Sequence, residues 1–456
     1  MTGMAAVAVM TALLAQTQQA QPPTNPFLGS VSKGTLTAEP LPLSAADAVK
    51  RALETNLGLL LQEETETSAH GARWRALSDL LPNVSGGVRE SRQVINLEAY
   101  GFPAPDPIVG PFNVFDARVY VSQPVIDLAA LNEKRAADAR EKAAKYGVRS
   151  ARDLVVLVAV NLYLETVTAA SRVESAHAQQ QTADTLLTQA QDLKTSGLVA
   201  GIDVLRAQVQ AQTQRQRVIA AENAYEKAKL QLKHAIGVPI AQAITLTDAM
   251  PFAPLPAPPI DATVARALTE RADYLEAKSR VDAAEAAGKA AMAALLPTLR
   301  LDGDWGAIGQ TISGAANTFS IAATLRVPIF DAGRTTARRI ESQSALRQRQ
   351  AELDELRGRI EYEVRAALLD LSAADQQVQA ARTNTDLATQ QLQQARDRFA
   401  AGVAGNLELT QAQEAVAAAS DSYIAALYTH NLAKASLARA MGIAESAVNT
   451  YFGGRQ

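Results

Sequence analysis

The chain has 456 residues, 48% hydrophobic and 5% aromatic, with 44 Lys+Arg against 47 Asp+Glu, a formal net charge of −3 and no cysteine. With no basic excess to neutralise phosphates, nucleic acid is excluded as a partner. Without thiols there are no disulfides, Cys-ligated zinc sites or thiol nucleophiles, and His70, His177, His234 and His430 are too scattered for a local metal motif.

Met4–Ala15 is an apolar run of signal-peptide length followed by the polar stretch Gln16–Gln21, so residues 1–20 read as a signal peptide. The first basic residue is Lys33, which leaves a plain apolar tail or an upstream start codon as alternatives. Residues 21–42 are expected to be extended. The longest apolar run beyond them is Leu154–Val160, short of the ~20 residues a membrane helix needs. Any crossing of a bilayer therefore falls to β-strands.

A first repeat is expected over 43–249. Ser44 and Asp47 form a capping box that opens a helix, and Leu80-Leu81-Pro82 stops it. Two segments with a period near 2 follow. Asn83–Val94 is the weaker. Asn113–Gln123 sets Phe115, Ala117, Val119 and Val121 against Asp116, Arg118, Tyr120 and Ser122. Asn96–Pro111, carrying Pro103, Pro105, Pro107 and Pro111, reads as the loop between them. Leu128–Ser196 contains no proline and predicts a helix roughly 100 Å long at 1.5 Å per residue. It reverses at Ser196–Gly201 into a helix reaching Ile236.

The Pro-rich run 250–260 reads as an extended linker. A second repeat over 261–445 then follows the same order. Asp261 is the expected N-cap of its first helix, which stops at Leu295-Leu296-Pro297. Its strands Thr298–Gln310 and Thr318–Val327 alternate, with Leu299, Leu301 and Trp305, then Phe319, Ile321 and Leu325, on the apolar faces. The long helix Arg334–Ala400 carries a seam of Leu353, Leu356, Ile360, Val364, Leu368 and Leu371 at coiled-coil steps. It reverses at Ala401–Gly405, and the return helix reaches Met441; residues 446–456 form a tail.

The repetition is literal. Leu80-Leu81-Pro82 recurs 215 residues later, and Gly197, Lys229, Leu232 and Gly237 recur as Gly402, Lys434, Leu437 and Gly442, 205 residues later. The span Pro82 to Pro124 is 11 residues longer than Pro297 to Pro328, which marks an insertion in the first copy. The fold class is thus mainly α with a small β part, a tandem structural repeat of coiled-coil helical hairpins with four strands per chain. About ten residues is the span of a tilted transmembrane strand, although a small soluble sheet alternates in the same way. Four strands cannot close a membrane barrel; three chains supply twelve, enough for a lumen.

Val327-Pro328-Ile329-Phe330-Asp331-Ala332-Gly333, its counterpart Gln123-Pro124-Val125-Ile126-Asp127, and the turns Gly197–Leu205 and Gly402–Glu408 together resemble the TolC family of outer-membrane efflux and export channels. The resemblance covers about Leu43 to Met441. It implies a homotrimer with a twelve-stranded barrel in outer-membrane lipid and an α-helical barrel extending into the periplasm. Such a trimer is a passive duct engaged by a periplasmic adaptor (membrane fusion) protein and an inner-membrane pump. By family position Glu408 is the constriction acid, with Gln411 where a second acid often stands and Asp203 at a first-half gate acid. Phe399 stands where a gate tyrosine can sit and Ala404 where an arginine can, so the family's polar closing network is incomplete here. Gly197, Leu198, Val199, Gly402, Val403 and Ala404 become the adaptor-contact tips, and Pro124, Asp127, Pro328, Asp331 and Gly333 the strand-to-helix junctions.

The same residues have plainer readings. Glu408 and Asp203 are acids in the first turn of a helix, where the dipole favours them, and Gly197 and Gly402 are helix C-caps. Trp305, Phe115, Phe319 and Tyr120 fit an interfacial girdle or ordinary strand packing. No catalytic constellation, cofactor motif or metal site is recognisable, so no enzyme is expected. The competing view is a periplasmic or surface coiled-coil scaffold without a pore, which requires the strands to lack a lipid-facing apolar band.

Overall fold

The computed structural model describes residues 25–451 other than 104, 251, 257, 402 and 404. The expected signal peptide, Gly402, Ala404 and the end of the tail lie outside the described residues. In chain order the elements are β1 (Leu41–Leu43), α1 (Ala45–Thr55), α2 (Leu57–Ser78), β2 (Asn83–Asn96), β3 (Ile108–Ile126), α3 (Leu128–Thr195) and α4 (Gly201–Ala235). They continue with β4 (Ile244–Leu246), α5 (Ile260–Glu270), α6 (Ala272–Ala293), β5 (Thr298–Gly309), β6 (Ala316–Arg326), α7 (Arg334–Ala400), α8 (Asn406–Ala440) and α9 (Ala444–Tyr451). Contacts divide the chain into one unit of residues up to Glu63, Val148–Arg271 and from Arg359 on, and a second of Glu64–Gly147 and Ala272–Gly358.

In the first unit, β1 and β4 pair in parallel, with Leu41 opposite Ile244. They cover a core of Val49, Leu59, Val156, Tyr163, Leu232 and Ile236. The Tyr163 hydroxyl lies 2.9 Å from Asp248 Oδ2, which also accepts from Ala45 N at 2.8 Å, so a buried phenol and a helix N-terminus share one carboxylate. The capping box of Ser44 and Asp47 forms as expected. One stretch of α3 is apolar and long enough to cross a membrane by composition, but half of it is buried in the chain, as in a core helix.

Three expectations about the helices need correction. Each repeat opens with two helices, not one. The helix breaks at Asn56, whose backbone is extended (φ −62°, ψ 127°), and 215 residues later at Arg271 (φ −63°, ψ 123°). Asn56 is buried; its Nδ2 donates to Phe27 O at 2.8 Å, and its Oδ1 accepts from Leu59 N at 3.2 Å. It thus caps α2 while holding the incoming segment across the break. At Arg271 the buried guanidinium pairs with Glu363 at 2.6 Å. Gly237 and Gly442, both at positive φ, back against these two breaks: a Cβ on Gly237 would lie 2.6 Å from Thr55 Oγ1, and one on Gly442 2.9 Å from the Arg271 backbone. Second, Asp261 is not the N-cap of α5. That place is taken by Pro259, whose carbonyl accepts from Thr263 N at 3.0 Å, and Asp261 sits in the first turn. Third, the segment from 446 is helical to Tyr451, because Ala447 and Val448 bury their side chains.

The second unit holds a four-stranded antiparallel sheet in the order β2-β3-β5-β6. The alternating segments are strands, and the first hairpin is longer than expected. β3 begins at Ile108, so Ile108–Pro111 lies in the strand and not in the loop, and β2 runs the full 14 residues. The weak alternation of β2, with Gly86, Gly87, Arg89 and Arg92, is that of an edge strand with one neighbour.

Candidate functional site

The sheet's two faces differ in chemistry. Register places Val84, Val121, Gly303 and Ile321 in one row and Gly86, Val119, Trp305 and Phe319 near them on the same face. Phe319 is 75% and Ile321 79% exposed. A contiguous exposed apolar face on an antiparallel sheet is what a lipid-facing band requires. The opposite face is polar. Arg118 Nε lies 2.6 Å from Asp116 Oδ1, and its Nη1 2.8 Å from Asp304 Oδ1; Ser122 Oγ donates to Asp302 at 2.6 Å. Arg118 reaches across β5 because its register partner there is Gly306, where a Cβ would fall 2.7 Å from Arg118 Cγ. Trp305, Phe319 and Phe115 share the apolar face, whereas Tyr120 stands opposite Asp304 on the polar one, which removes it from the girdle.

Both strand-to-helix junctions are locked by an aspartate. Asp127 Oδ1 accepts from Ala130 N at 2.8 Å. Asp331 accepts from Gly333 N at 3.1 Å and Thr335 N at 2.8 Å, which satisfies amides that the start of α7 leaves open. Gly333 has φ +84° and Ala332 φ +54°, so the second junction turns through left-handed backbone. Pro124 lies inside β3 opposite Arg300, and Pro328 follows the end of β6.

The two hairpin turns belong to the first unit. Leu198 N donates to Leu193 O and Gly197 N to Lys194 O, both at 2.9 Å, with Gly197 at φ +74°. This is a Schellman C-cap, and nothing lies within 4 Å of a Cβ there, so glycine serves the backbone angle and not a tight fit. Val403 N donates to Arg398 O at 3.0 Å in the same way. Leu198 and Val403 are each 72% exposed. Val199 turns inward against a cluster of Leu186, Leu392, Ala395, Leu409, Ala412 and Phe399. Phe399 is only 2% exposed, so within the chain its part is packing.

Asp203 and Glu408 occupy matching places in the first turns of α4 and α8. Asp203 Oδ1 lies 3.4 Å from Arg206, and its carbonyl accepts from the buried Asn406 Nδ2 at 2.6 Å. Glu408 Oε1 lies 3.4 Å from Arg398 Nε with its side chain still partly exposed, and Gln411 is exposed. Glu414, missed in the sequence, is the most elaborately held acid near the turns. Gln210 Nε2 donates to it at 2.7 Å and Arg217 Nη2 at 2.7 Å, with Gln214 at 3.4 Å. Burial alone would raise its carboxyl, but the hydrogen bonds from Arg217 and Gln210 outweigh that and hold it below the usual range. The available signal was the 4- and 3-residue spacing of Gln210, Gln214 and Arg217 on one face of α4.

An exposed apolar sheet face backed by a charged one, on strands joined to long helical hairpins, defines an outer-membrane channel subunit. The family model for outer membrane efflux proteins matches residues 49–238 and 263–443, and the chain belongs to that family. The alkaline protease secretion protein AprF of Pseudomonas aeruginosa is 24% identical over 345 residues, 74% of this chain and 71% of that protein. The pyoverdine export outer membrane protein OpmQ of Pseudomonas putida is 24% identical over 383 residues, 80% of this chain and 78% of that protein. Among solved structures, the CmeC outer membrane channel of Campylobacter jejuni matches with a TM-score of 0.77 at 17% identity over 92% of each chain. The protein is an efflux channel component of the outer membrane, and the expected fold class holds. Its relatives are channel proteins, not enzymes.

Proposed function

We propose that three copies assemble into a passive exit duct, with the sheets closing as a twelve-stranded barrel in outer-membrane lipid. The apolar face of the sheet meets the lipid, and the row of Asp116, Arg118, Asp304 and Asp302 faces the lumen. The observation that carries this reading is that division of one sheet into an exposed apolar face and an ion-paired face. The helical hairpins continue the duct into the periplasm, where Leu198 and Val403 dock a periplasmic adaptor that couples the duct to an inner-membrane pump. Glu408 narrows the duct: three carboxylates around one axis attract cations and repel one another. Arg398 neutralises each in part, and Asp203 and Gln411 flank the constriction. Cargo is chosen by the pump and adaptor, in keeping with two relatives of equal identity named for an alkaline protease and for pyoverdine.

Burying an apolar side chain at an interface is worth about 2 kcal/mol, and an unpaired charge in its place costs more. Leu198→Asp with Val403→Asp is therefore expected to abolish export in cells while the purified protein keeps its native mass and conductance. Export at the wild-type level from that variant would remove the tips from the adaptor contact.

A further inference from the structure

His430 on α8 is fully buried, and neither of its ring nitrogens makes a hydrogen bond among the described residues. Buried polar atoms are ordinarily satisfied, so an imidazole placed in this way needs a physical reason. Asp375 on α7 stands 3.9 Å from His430 Nε2. The oxygen that faces the ring, Oδ1, is also buried and unpaired, while Oδ2 accepts from Gln379 at 3.2 Å. Lys434, one turn further along α8, is 2% exposed, with Nζ 3.4 Å from Ala253 O. Phe252 packs on the imidazole, the ring centroids 5.2 Å apart. Phe252 and Ala253 belong to the Pro-rich linker between the repeats, so this group of side chains seats the linker on α7 and α8. We propose that His430 is a proton-operated clasp: the neutral ring keeps Phe252 and Ala253 seated, and protonation releases them. The clasp lies within one chain and does not depend on how many chains assemble.

The first repeat lacks this arrangement. The shift of 205 residues that carries Lys229 to Lys434 also carries Tyr225 to His430. Tyr225 and Lys229 are both partly exposed, with Lys229 Nζ 4.5 Å from the centre of the tyrosine ring. In the second repeat the corresponding pair is sealed beneath Phe252 and Ala253, and the ring is an imidazole. A phenyl ring would serve packing as well. What the imidazole adds is a charge that changes between about pH 5 and 8.

The charges around the ring set the direction of the response. Those facing it are Asp375 from α7 and Lys434 from its own helix; Phe252 and Ala253 of the linker do not titrate. Burial first, and Lys434 second, push the imidazole below the ordinary histidine range, and Asp375 offsets them only in part. The seated linker therefore favours the neutral ring. Once the linker lifts, the ring meets water and binds a proton with its ordinary affinity. The clasp is thus closed above the ordinary histidine range and opens as pH falls through and below it. Burial disfavours the Lys434 ammonium as well, so opening relieves two cations at once.

The chain has no cysteine, so Ala253→Cys gives the full-length protein a single spin-label site at an exposed position of the linker. In detergent, the ratio of mobile to immobile label is expected to rise roughly fivefold between pH 7.5 and pH 5. With His430→Phe added, the label is expected to stay immobile at both pH values. With Asp375→Asn added instead, the carboxylate that favours the protonated ring is gone, and the transition is expected to move to higher pH.

A label equally mobile at both pH values in the Ala253→Cys protein overturns the clasp. A transition that His430→Phe keeps in full belongs to another group and overturns the part assigned to His430. Where native mass shows that the phenyl variant has not folded, Asp375→Asn decides, and a transition that stays put or moves to lower pH overturns the proposal. The expected transition in particles that are not trimers supports the clasp and counts against the three-chain duct alone.

Discussion

Three residues show how differently similar sequence features are paid for in structure. Gly197 and Gly442 both adopt φ of +74°, but only Gly442 is hemmed in, with the Arg271 backbone 2.9 Å from where its Cβ would be. Left-handed backbone costs a residue with a Cβ about 1–2 kcal/mol, so Gly197→Ala should lose about 1 kcal/mol. Gly442→Ala adds a clash with main chain and should lose about 2–4 kcal/mol. Urea unfolding of the two variants in detergent checks the order, and equal losses would contradict it. Asp153 is the third. Burial first, and the neighbouring Glu445 second, push its carboxyl up to about 6. The folded state then holds the proton more tightly than the unfolded chain, whose carboxyl titrates near 3.9. Ionised Asp153 therefore costs stability at neutral pH, and the cost fades as pH falls from about 6 toward 4. Asp153→Asn is expected to melt higher than wild type at pH 7.5 and level with it at pH 4, which thermal melts at both pH values measure.

At the scale of elements, the sequence displays what periodicity can display. The strands of the second repeat announce themselves through Leu299, Leu301 and Trp305 and through Phe319, Ile321 and Leu325, and the long helices through their proline-free seams. The breaks at Asn56 and Arg271 do not. Both residues are tolerated in helices, and each break is enforced by partners remote in sequence, Phe27 for the first and Glu363 for the second. Arg118 was legible as a member of a polar face, but not its bridge to Asp304, which lies 186 residues away. The face assignment makes a sharp prediction. Ile321→Arg puts a charge on the apolar face, where it costs about 2–4 kcal/mol at mid-membrane, whereas Ala322→Arg points into the polar face and costs little. Folding yield into vesicles should fall for the first and hold for the second. The opposite order would mean that the lipid and lumen faces are reversed.

For the whole molecule, duplication is the organising fact. Two copies of one plan place breaks, C-caps and junction aspartates at matching positions, which is why the order of elements could be read from one chain. The proposed constriction could be read only in part. Glu408 is marked as a candidate by its family position alone, its place after the turn fitting a plain first-turn acid equally well. Arg398, which sits 3.4 Å from it, and the Gln210–Glu414–Arg217 network depend on which helices lie side by side. The central claim is that three chains enclose a passive pore constricted at Glu408. Single-channel conductance of the detergent-purified protein in a planar bilayer, for wild type and Glu408→Ala, tests it most directly. Small cation-favouring openings are expected from wild type, and the variant is expected to lose cation preference or conduct more. Verified trimers that insert without conducting, or an alanine variant indistinguishable from wild type in both conductance and selectivity, would contradict the account.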